Sequence, residues 1–532
     1  TATPNELMSA LLKLDVGLIW FGGIGTYVRA SNESNAEVGD RTNDAIRVTA
    51  AELQAQVIGE GANLAITQRG RIEFALKGGR INTDAVDNSA GVNSSDMEVN
   101  IKIALGPAEA TGHLDRRQRN KLLGKMTDEV AALVLRNNHL QTLCLSLGTA
   151  RGEDELGYDA RLMRRIEERG LLDRRLEALP DEAALAEYAA KGRGLSRPEL
   201  AVLMAYSKIV LFDQLLESPV PDDPYLGKEL FRYFPERMAK QFPDEIADHK
   251  LRREIISTML SNSMINRGGP SFVSRLMEET GHDVADIASA YAMARDSFDF
   301  VSLNAAVDDL ARRIPGRVQT EMYLELQLIM RRATIWFLRN CSFAQGIETL
   351  VTHYAKGVKR LEKALPTVLP EPNLERVRGR HQAFLKNGVP ADVAQIFAGL
   401  RYLQRAPDVV MVAGESHHPI EAVARVLFHS GIDLRIDRLI GQSGQIHPDD
   451  FYERMAINRT VDGIIQTHRA IVSRAMTRQR GDSDGWTKWM SENEDAAQRA
   501  RRIIEELLAE RSFGLSKLTV AASQLAELAA TT

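Results

Sequence analysis

The chain has 532 residues, 44% of them hydrophobic and 26% charged, with a formal net charge of −5 at pH 7. This is the composition of a globular protein of roughly two to four domains, and it excludes intrinsic disorder and the broad basic footprint of a nucleic-acid-binding protein. Its two cysteines, Cys144 and Cys341, form no CxxC pair, which argues against a disulfide framework or a thiolate zinc site and fits a reducing cytoplasm.

No basic-then-apolar signal peptide opens the sequence. It starts at Thr1 without an initiator Met and meets its first strand almost at once, as the tail of a longer polypeptide would. That strand, residues 15–20, runs into IWFGGIGTYV (19–28). The phrase approaches a G-x-G-x-x-G fingerprint, but Val28 stands where the third small residue belongs, and the polar tract RASNESNAEVGDRTND (29–44) offers no helical apolar stripe. The expectation is therefore a strand ending in a glycine-rich loop at the carboxyl edge of a sheet, where ligands bind in open α/β folds.

Between residues 14 and 104 short β-like runs alternate with short helices: VGLIW, a helix near 49–53, QVIGEGAN, a helix near 67–76, and RINTDAVDN. Such alternation predicts a parallel sheet with covering helices. Thr49 and Glu52 form a capping-box pair, and Gly78 and Gly79 supply a left-handed stop after Leu76.

Two polar turns stand out. Glu60-Gly61-Ala62-Asn63 leaves a strand with small residues that admit a ligand to the backbone and an Asn63 amide that both donates and accepts. The second turn, 88–95, is expected to lead into a helix capped by Ser95 and Glu98. Free N–H groups, a helix dipole and serine hydroxyls would then converge on a carboxylate or phosphate. In the simpler alternative, Ser95 only caps its helix and Asn88 only stabilises a turn. The residues by themselves lead to a site for an anion beside a nucleotide.

From about Gly106 onward nearly every segment has helical periodicity. SRPELAVLMAYSKIVLF (196–212) begins with Ser196 as N-cap, Pro198 in the first turn and Glu199 closing the box, and its apolar faces predict a buried central helix. It is too short to span a bilayer and contains Lys208. In the helix predicted over 321–340, Leu324, Leu328, Ile335 and Leu338 fall near one face beside Trp336. Proline-rich stretches at 217–227 and 365–373 are candidate subdomain joints. His417, His418 and His429 lack the i, i+4 spacing of a metal site, and Pro419 with Glu421 reads as a helix start. The arginines of 160–182 are interleaved with acids, as on a solvated, ion-paired helix face. Trp486 and Trp489, after the turn GDSDG, are candidates to pack the last helices together.

EGAN, an Asp-x-x-x-Asn turn and the loop SAGVNSS together resemble the closing part of the cofactor domain of glutamate dehydrogenases. The phrases WFGGIGTYV, VGDRTNDAIRV, GEGANLAITQRGRIEFALKGGRINTD and GLSRPELAVLMAYSK resemble more closely the large bacterial NAD-specific members. That resemblance implies a Rossmann-like partial parallel sheet at the N-terminus (1–110) followed by a large all-α domain (111–532). It also implies oxidative deamination of L-glutamate to 2-oxoglutarate and ammonia with NAD, and a homo-oligomer in the cytoplasm with no nucleic-acid or membrane partner. By the same likeness Asn63 lies beside the nicotinamide ribose, and Gly61, Gly22 and Gly23 line the cofactor cleft. Asn88 approaches the substrate and Ser95 binds its side-chain carboxylate.

The chain reads Ser89-Ala90-Gly91-Val92 where the commoner enzymes read Ala-Gly-Gly-Val. The family's dinucleotide fingerprint, catalytic lysine and catalytic aspartate are expected upstream of this stretch. No catalytic residue and no metal ligand is therefore assigned here, and the chain is expected to be inactive alone. The competing expectation is a non-catalytic helical scaffold or regulatory protein with a vestigial cofactor edge.

Overall fold

A computed structural model describes residues 2–478 and 485–531; the expected turn at 481–485 lies outside these but for its last glycine. The chain divides into two compact units, Thr1–Ala292 with Leu338–Cys341, and Met293–Phe337 with Ser342–Thr532.

The first unit opens with α1 (Pro4–Leu12), started by a Thr3–Glu6 capping box. Four short strands follow: β1 (Leu18–Phe21), β2 (Val28–Arg29), β3 (Val48–Thr49) and β4 (Val57–Glu60). Between β2 and β3 lies a one-turn helix, α2 (Asn35–Val38), capped by a Ser34–Glu37 box that the polar tract had concealed. Pairing is parallel, as the alternation predicted, but it forms two separate two-stranded sheets, β1–β4 and β2–β3. The third expected run contributes only a bridge, with Arg80 N–H donating to the Gln56 carbonyl and Ile58 N–H to the Arg80 carbonyl. The pleat sends Phe21 into a core with Val28, Val48, Ile58, Ile66, Phe74 and Ile81, and Ile19 packs against it. Leu18 and Trp20, on the opposite face, are 56% and 59% exposed.

The helix expected near 49–53 is a single 3₁₀ turn, Ala50–Glu52, although its Thr49–Glu52 box is present. α3 (Gln68–Leu76) forms as expected, with Thr67 accepting from Gly70 N–H and Gly78 at φ 94° beyond its end. The larger difference follows: α4 (Asp84–Asp87) and α5 (Ser89–Ala110) meet at Asn88, so the presumed loop 89–95 is helical. Nothing in Ser-Ala-Gly-Val-Asn-Ser-Ser stops a helix, since Gly91 keeps a negative φ and no proline intervenes.

α6 (Arg116–Arg151), α7 (Glu153–Glu168), α8 (Glu182–Ala190) and α9 (Arg197–Glu217) continue the unit. The Ser196–Glu199 box starts α9 as read, with Ser196 N–H donating to Glu199 at 2.6 Å. α9 packs against α6 and the helix Arg252–Gly268 through Leu200, Leu203, Met204, Leu211 and Leu215. It is not buried on every side, because Ile209 is 57% exposed. Among the described residues no helix is long and apolar enough to cross a membrane.

The second unit is helical throughout its described residues. In the helix Gly316–Asn340 the buried face runs through Met322, Leu326, Ile329, Met330, Ala333 and Phe337; of the predicted stripe Ile335 and Leu338 are buried and Leu324 is half-buried, while Leu328 is 39% exposed. Trp336 is half-buried; it donates from Nε1 to Asp408 at 2.8 Å and packs on the buried Tyr354 at the edge of the unit's core. Trp486 and Trp489 stack with ring centroids 5.1 Å apart, and Trp486 donates to Asp433. Pro366 lies inside the helix Ile347–Val368, and the other proline-rich stretch folds into the 3₁₀ turn Val220–Asp222 of the first unit.

Burial lowers the Lys208 ammonium to about 8. The folded chain then holds this proton less tightly than the unfolded chain, whose lysine titrates near 10.4, so the charge opposes folding at neutral pH. That opposition fades as pH rises from about 8 to about 10.4. Lys208→Met is accordingly expected to stabilise the protein at pH 7 by on the order of 2 kcal/mol and to lose the advantage near pH 10. Calorimetry at the two pH values checks this, and an equal gain at both would contradict it.

Candidate functional site

Glu60 ends β4 with its carboxylate fully buried. Arg71 of α3 meets it with two N–H···O contacts, 2.7 Å to Oε2 and 2.9 Å to Oε1, and Ile66 N–H donates at 3.1 Å. Burial raises the Glu60 carboxyl above the usual range against the pull of the Arg71 guanidinium. Arg71 also lies 3.2 Å from Asp84, whose second oxygen accepts Leu64 N–H at 2.8 Å. That bond helps hold Leu64 at φ 60°, a left-handed conformation that costs a side-chain-bearing residue about 1–2 kcal/mol. Glu60 N–H in turn donates to Asp87 at 3.0 Å.

These contacts bring the two predicted turns together. Asn88 Nδ2 donates to Asn63 Oδ1 at 2.6 Å, at the carboxyl end of the β1–β4 pair. Asn88 Oδ1 and the Asn63 amide donors remain available. On the far side of the turn, Asn138 of α6 donates to the Val86 carbonyl at 2.8 Å and to Ser89 Oγ at 2.9 Å.

Trp20 lies across the two glycines of the Glu60 strand. A Cβ at Gly59 or Gly61 would sit 2.5 Å from an indole carbon, so this close approach requires glycine at both positions. Gly23 has open space around it, and Gly22 would meet only the edge of Trp20 at 3.9 Å. The Gly22–Gly23 loop is wired from below by residues that sequence reasoning missed. Asp40 accepts from Thr26 N–H at 2.8 Å and from Asn43 at 2.6 Å, and these bonds hold its carboxyl below the usual range. Arg47 donates to the Thr26 carbonyl at 2.9 Å and pairs with Asp44. The cluster of Asp and Asn in GDRTND was the available signal for such a turn.

Ser95 is not where the capping pattern put it. It lies inside α5 with an exposed hydroxyl, and Glu98 pairs with Lys102 instead. The expected cradle of free amides at 93–97 is absent because those N–H groups are internal to the helix. Seven residues make nearly two turns, so Ser95 shares the face of Asn88, about 10 Å farther along.

Among the described residues no three His, Cys, Asp or Glu side chains gather as a metal site. His418 contacts the Met476 carbonyl, His417 ends one helix in the left-handed conformation, and Pro419 caps the next, Ile420–Asp433. The arginines of 160–182 are ion-paired, Arg161 with Glu278 and Arg174 with Glu167 and Glu182.

Removing one partner of a buried ion pair typically costs about 3–5 kcal/mol. Arg71→Met is expected to lose stability on that scale, read from the midpoint of urea unfolding. A loss below about 1 kcal/mol would mean that the pair does not hold the turn.

Residues 192–527 match the family described as glutamate dehydrogenase, C-terminal, and residues 1–148 match that of the bacterial NAD-glutamate dehydrogenase catalytic domain. Proteins named NAD-specific glutamate dehydrogenase from Halomonas elongata and Pseudomonas aeruginosa are each 38% identical over 99% of this chain, and one from Mycobacterium tuberculosis is 34% identical over 99%. The chain spans about a third, 33%, of the length of each of these relatives. With its larger part, residues 192–527, matched in this way, the chain belongs to the glutamate dehydrogenase C-terminal family.

Proposed function

We propose that this chain is part of an NAD-dependent glutamate dehydrogenase that oxidatively deaminates L-glutamate to 2-oxoglutarate and ammonium, and that it supplies the cofactor-edge and substrate-carboxylate elements. The observation that carries the reading is the Asn63–Asn88 contact at the carboxyl end of two parallel strands, with the free Ser95 hydroxyl on the same helix face. In this reading the β1–β4 pair is the closing portion of a Rossmann-like sheet, residues 1–110 finish the cofactor domain, and residues 111–532 form a helical assembly or regulatory domain. Homo-oligomeric assembly in the cytoplasm belongs to the same reading.

The residues present suit NAD. The Asn63 amide is exposed and available to ribose hydroxyls, and the glycine backbone at Gly61, Gly22 and Gly23 offers close approach without side chains. When bound, NAD would supply the acceptor for the hydride that leaves the substrate's α-carbon. The chain's own contribution is binding and orientation. Asn88 presents its free carbonyl oxygen toward the substrate, and Ser95 donates to the distal carboxylate, so that a five-carbon diacid is held at both ends. The catalytic lysine and aspartate belong to the remainder of the longer polypeptide, and the chain alone is inactive.

A hydrogen bond to a charged group contributes roughly 1.5–3 kcal/mol. Ser95→Ala in the full-length protein is therefore expected to lower kcat/KM for glutamate by about one to two decades and leave the KM for NAD near its original value. NADH formation followed at 340 nm, roughly the absorbance maximum of the reduced nicotinamide, provides the measurement. An unchanged kcat/KM removes Ser95 from the site.

A further inference from the structure

We infer that Arg197 is a positioning residue for the Asn63–Asn88 pair: the first residue of α9 sets the orientation of the Asn82 amide, and Asn82 in turn fixes Asp87 and the turn that carries Asn88. This rests on the functional reading above and deepens it, because it brings a residue of the C-terminal family segment, 192–527, to bear on the site in the catalytic segment, 1–148.

All three nitrogens of the Arg197 guanidinium are engaged. Nε donates to Asn82 Oδ1, one terminal nitrogen donates to Ser146 Oγ at 2.9 Å, and the other donates to the Thr142 carbonyl at 2.9 Å. None of the acceptors is a carboxylate. Burial lowers the basicity of the guanidinium, and the nearby Asp87 charge opposes this only in part. A shielded cation held by neutral oxygens gains little stability from its charge, so what the arrangement provides is geometry.

The geometry is directional. Asn82 Nδ2 donates to Asp87 Oδ1 at 2.6 Å while its Oδ1 faces Arg197. Arginine can only donate and an ionised aspartate can only accept, so an amide between them has one orientation. Without the arginine, Asn82 Oδ1 loses its donor, and the side chain is no longer held in the rotamer from which Nδ2 reaches Asp87. The Asp87 carboxylate would then keep the bond that its Oδ2 accepts from Glu60 N–H at 3.0 Å but lose the one at Oδ1. The residue next in sequence to Asp87 is Asn88. A second strut leaves the same helix start: Gln68 of α3, the helix that carries Arg71, donates to the Pro198 carbonyl at 3.2 Å. The start of α9 thus grips both the turn bearing Asn88 and the helix behind Asn63.

The test uses the full-length protein with Arg197→Met, Arg197→Lys, Arg197→Ala and Asn82→Asp. Asn82→Asp keeps the acceptor for Arg197 but removes the donor to Asp87, so it separates the relay from mere filling of space. The expected result is a fall of about tenfold or more in kcat/KM for glutamate in Arg197→Met and Asn82→Asp, with Tm near that of the wild type. Added guanidinium should restore part of the activity of Arg197→Ala and leave Asn82→Asp unaffected. Hydrogen exchange should quicken in peptides covering 82–89 in both variants and in no helix of the second unit.

Wild-type kcat/KM in Arg197→Met, or a loss that follows a lowered Tm in every variant and is insensitive to guanidinium, would overturn the inference. A wild-type protein with no glutamate-dependent NADH formation would overturn the functional reading instead, and exchange at 82–89 would still decide whether Arg197 orders the turn.

Discussion

A carboxylate taken out of water at the end of β4 must be met by a cation, and in this chain the cation comes from α3. The Glu60–Arg71 contact is the constraint from which the rest of the site follows. It fixes how α3 lies on the β1–β4 pair. Its second contact with Asp84 then determines where α4 begins, and Asp84 reaches on to the strained backbone at Leu64. Once Glu60, Asp84 and Asp87 are placed, Asn63 and Asn88 have little choice but to meet. The exposed polar groups that carry the proposed chemistry are thus positioned by charges that are themselves buried or half-buried.

The glycine loop after β1 is organised on the same plan, with Asp40 and Arg47 standing beneath it as Glu60 and Arg71 stand beneath Asn63. In both places a short apolar strand ends in small residues, and a buried or half-buried ion network supplies the stiffness that small residues lack. Trp20 joins the two arrangements, since its indole lies over Gly59 and Gly61 while its own strand leads into Gly22. The helical second unit is held differently, by buried aliphatic faces and by aromatic contacts such as the Trp486–Trp489 stack, with Asp408 receiving Trp336, Arg405 and Arg469.

What could be read in the sequence was what depends on neighbours a few residues apart. The Thr49–Glu52 and Ser196–Glu199 boxes, the stop at Gly78 and the parallel alternation of strand and helix are local chemistry. Asn63 and Asn88 were also legible as paired polar turns. Ser95 with Glu98 misled because the same four-residue pattern occurs inside helices, and only the absence of a breaker between 89 and 95 decides the matter. The third strand failed because one bridge at Arg80 gave way to the helix-favouring DAVDN turn. In the helix Gly316–Asn340 the predicted face holds at Ile335 and Leu338 but not at Leu328, because in the first half of the helix the buried positions are Met322, Leu326 and Ile329. The Glu60–Arg71 and Arg197–Asn82 contacts had no local signature at all. They join residues 11 and 115 positions apart, and only the folded chain brings them together.

Asn88 both ends α4 and begins α5, with no break in the chain between the two helices. It is therefore a pivot, and α5 is the pointer attached to it. At 22 residues the pointer is roughly 33 Å long, so a tilt of about 4° at Asn88 moves its far end by about 2 Å. α5 lies along α6, which also holds the turn through Asn138, so one helix supports both the turn at Asn88 and the length of α5 beyond it. The direction of α5 is thereby tied to the same short turn that carries Asn88.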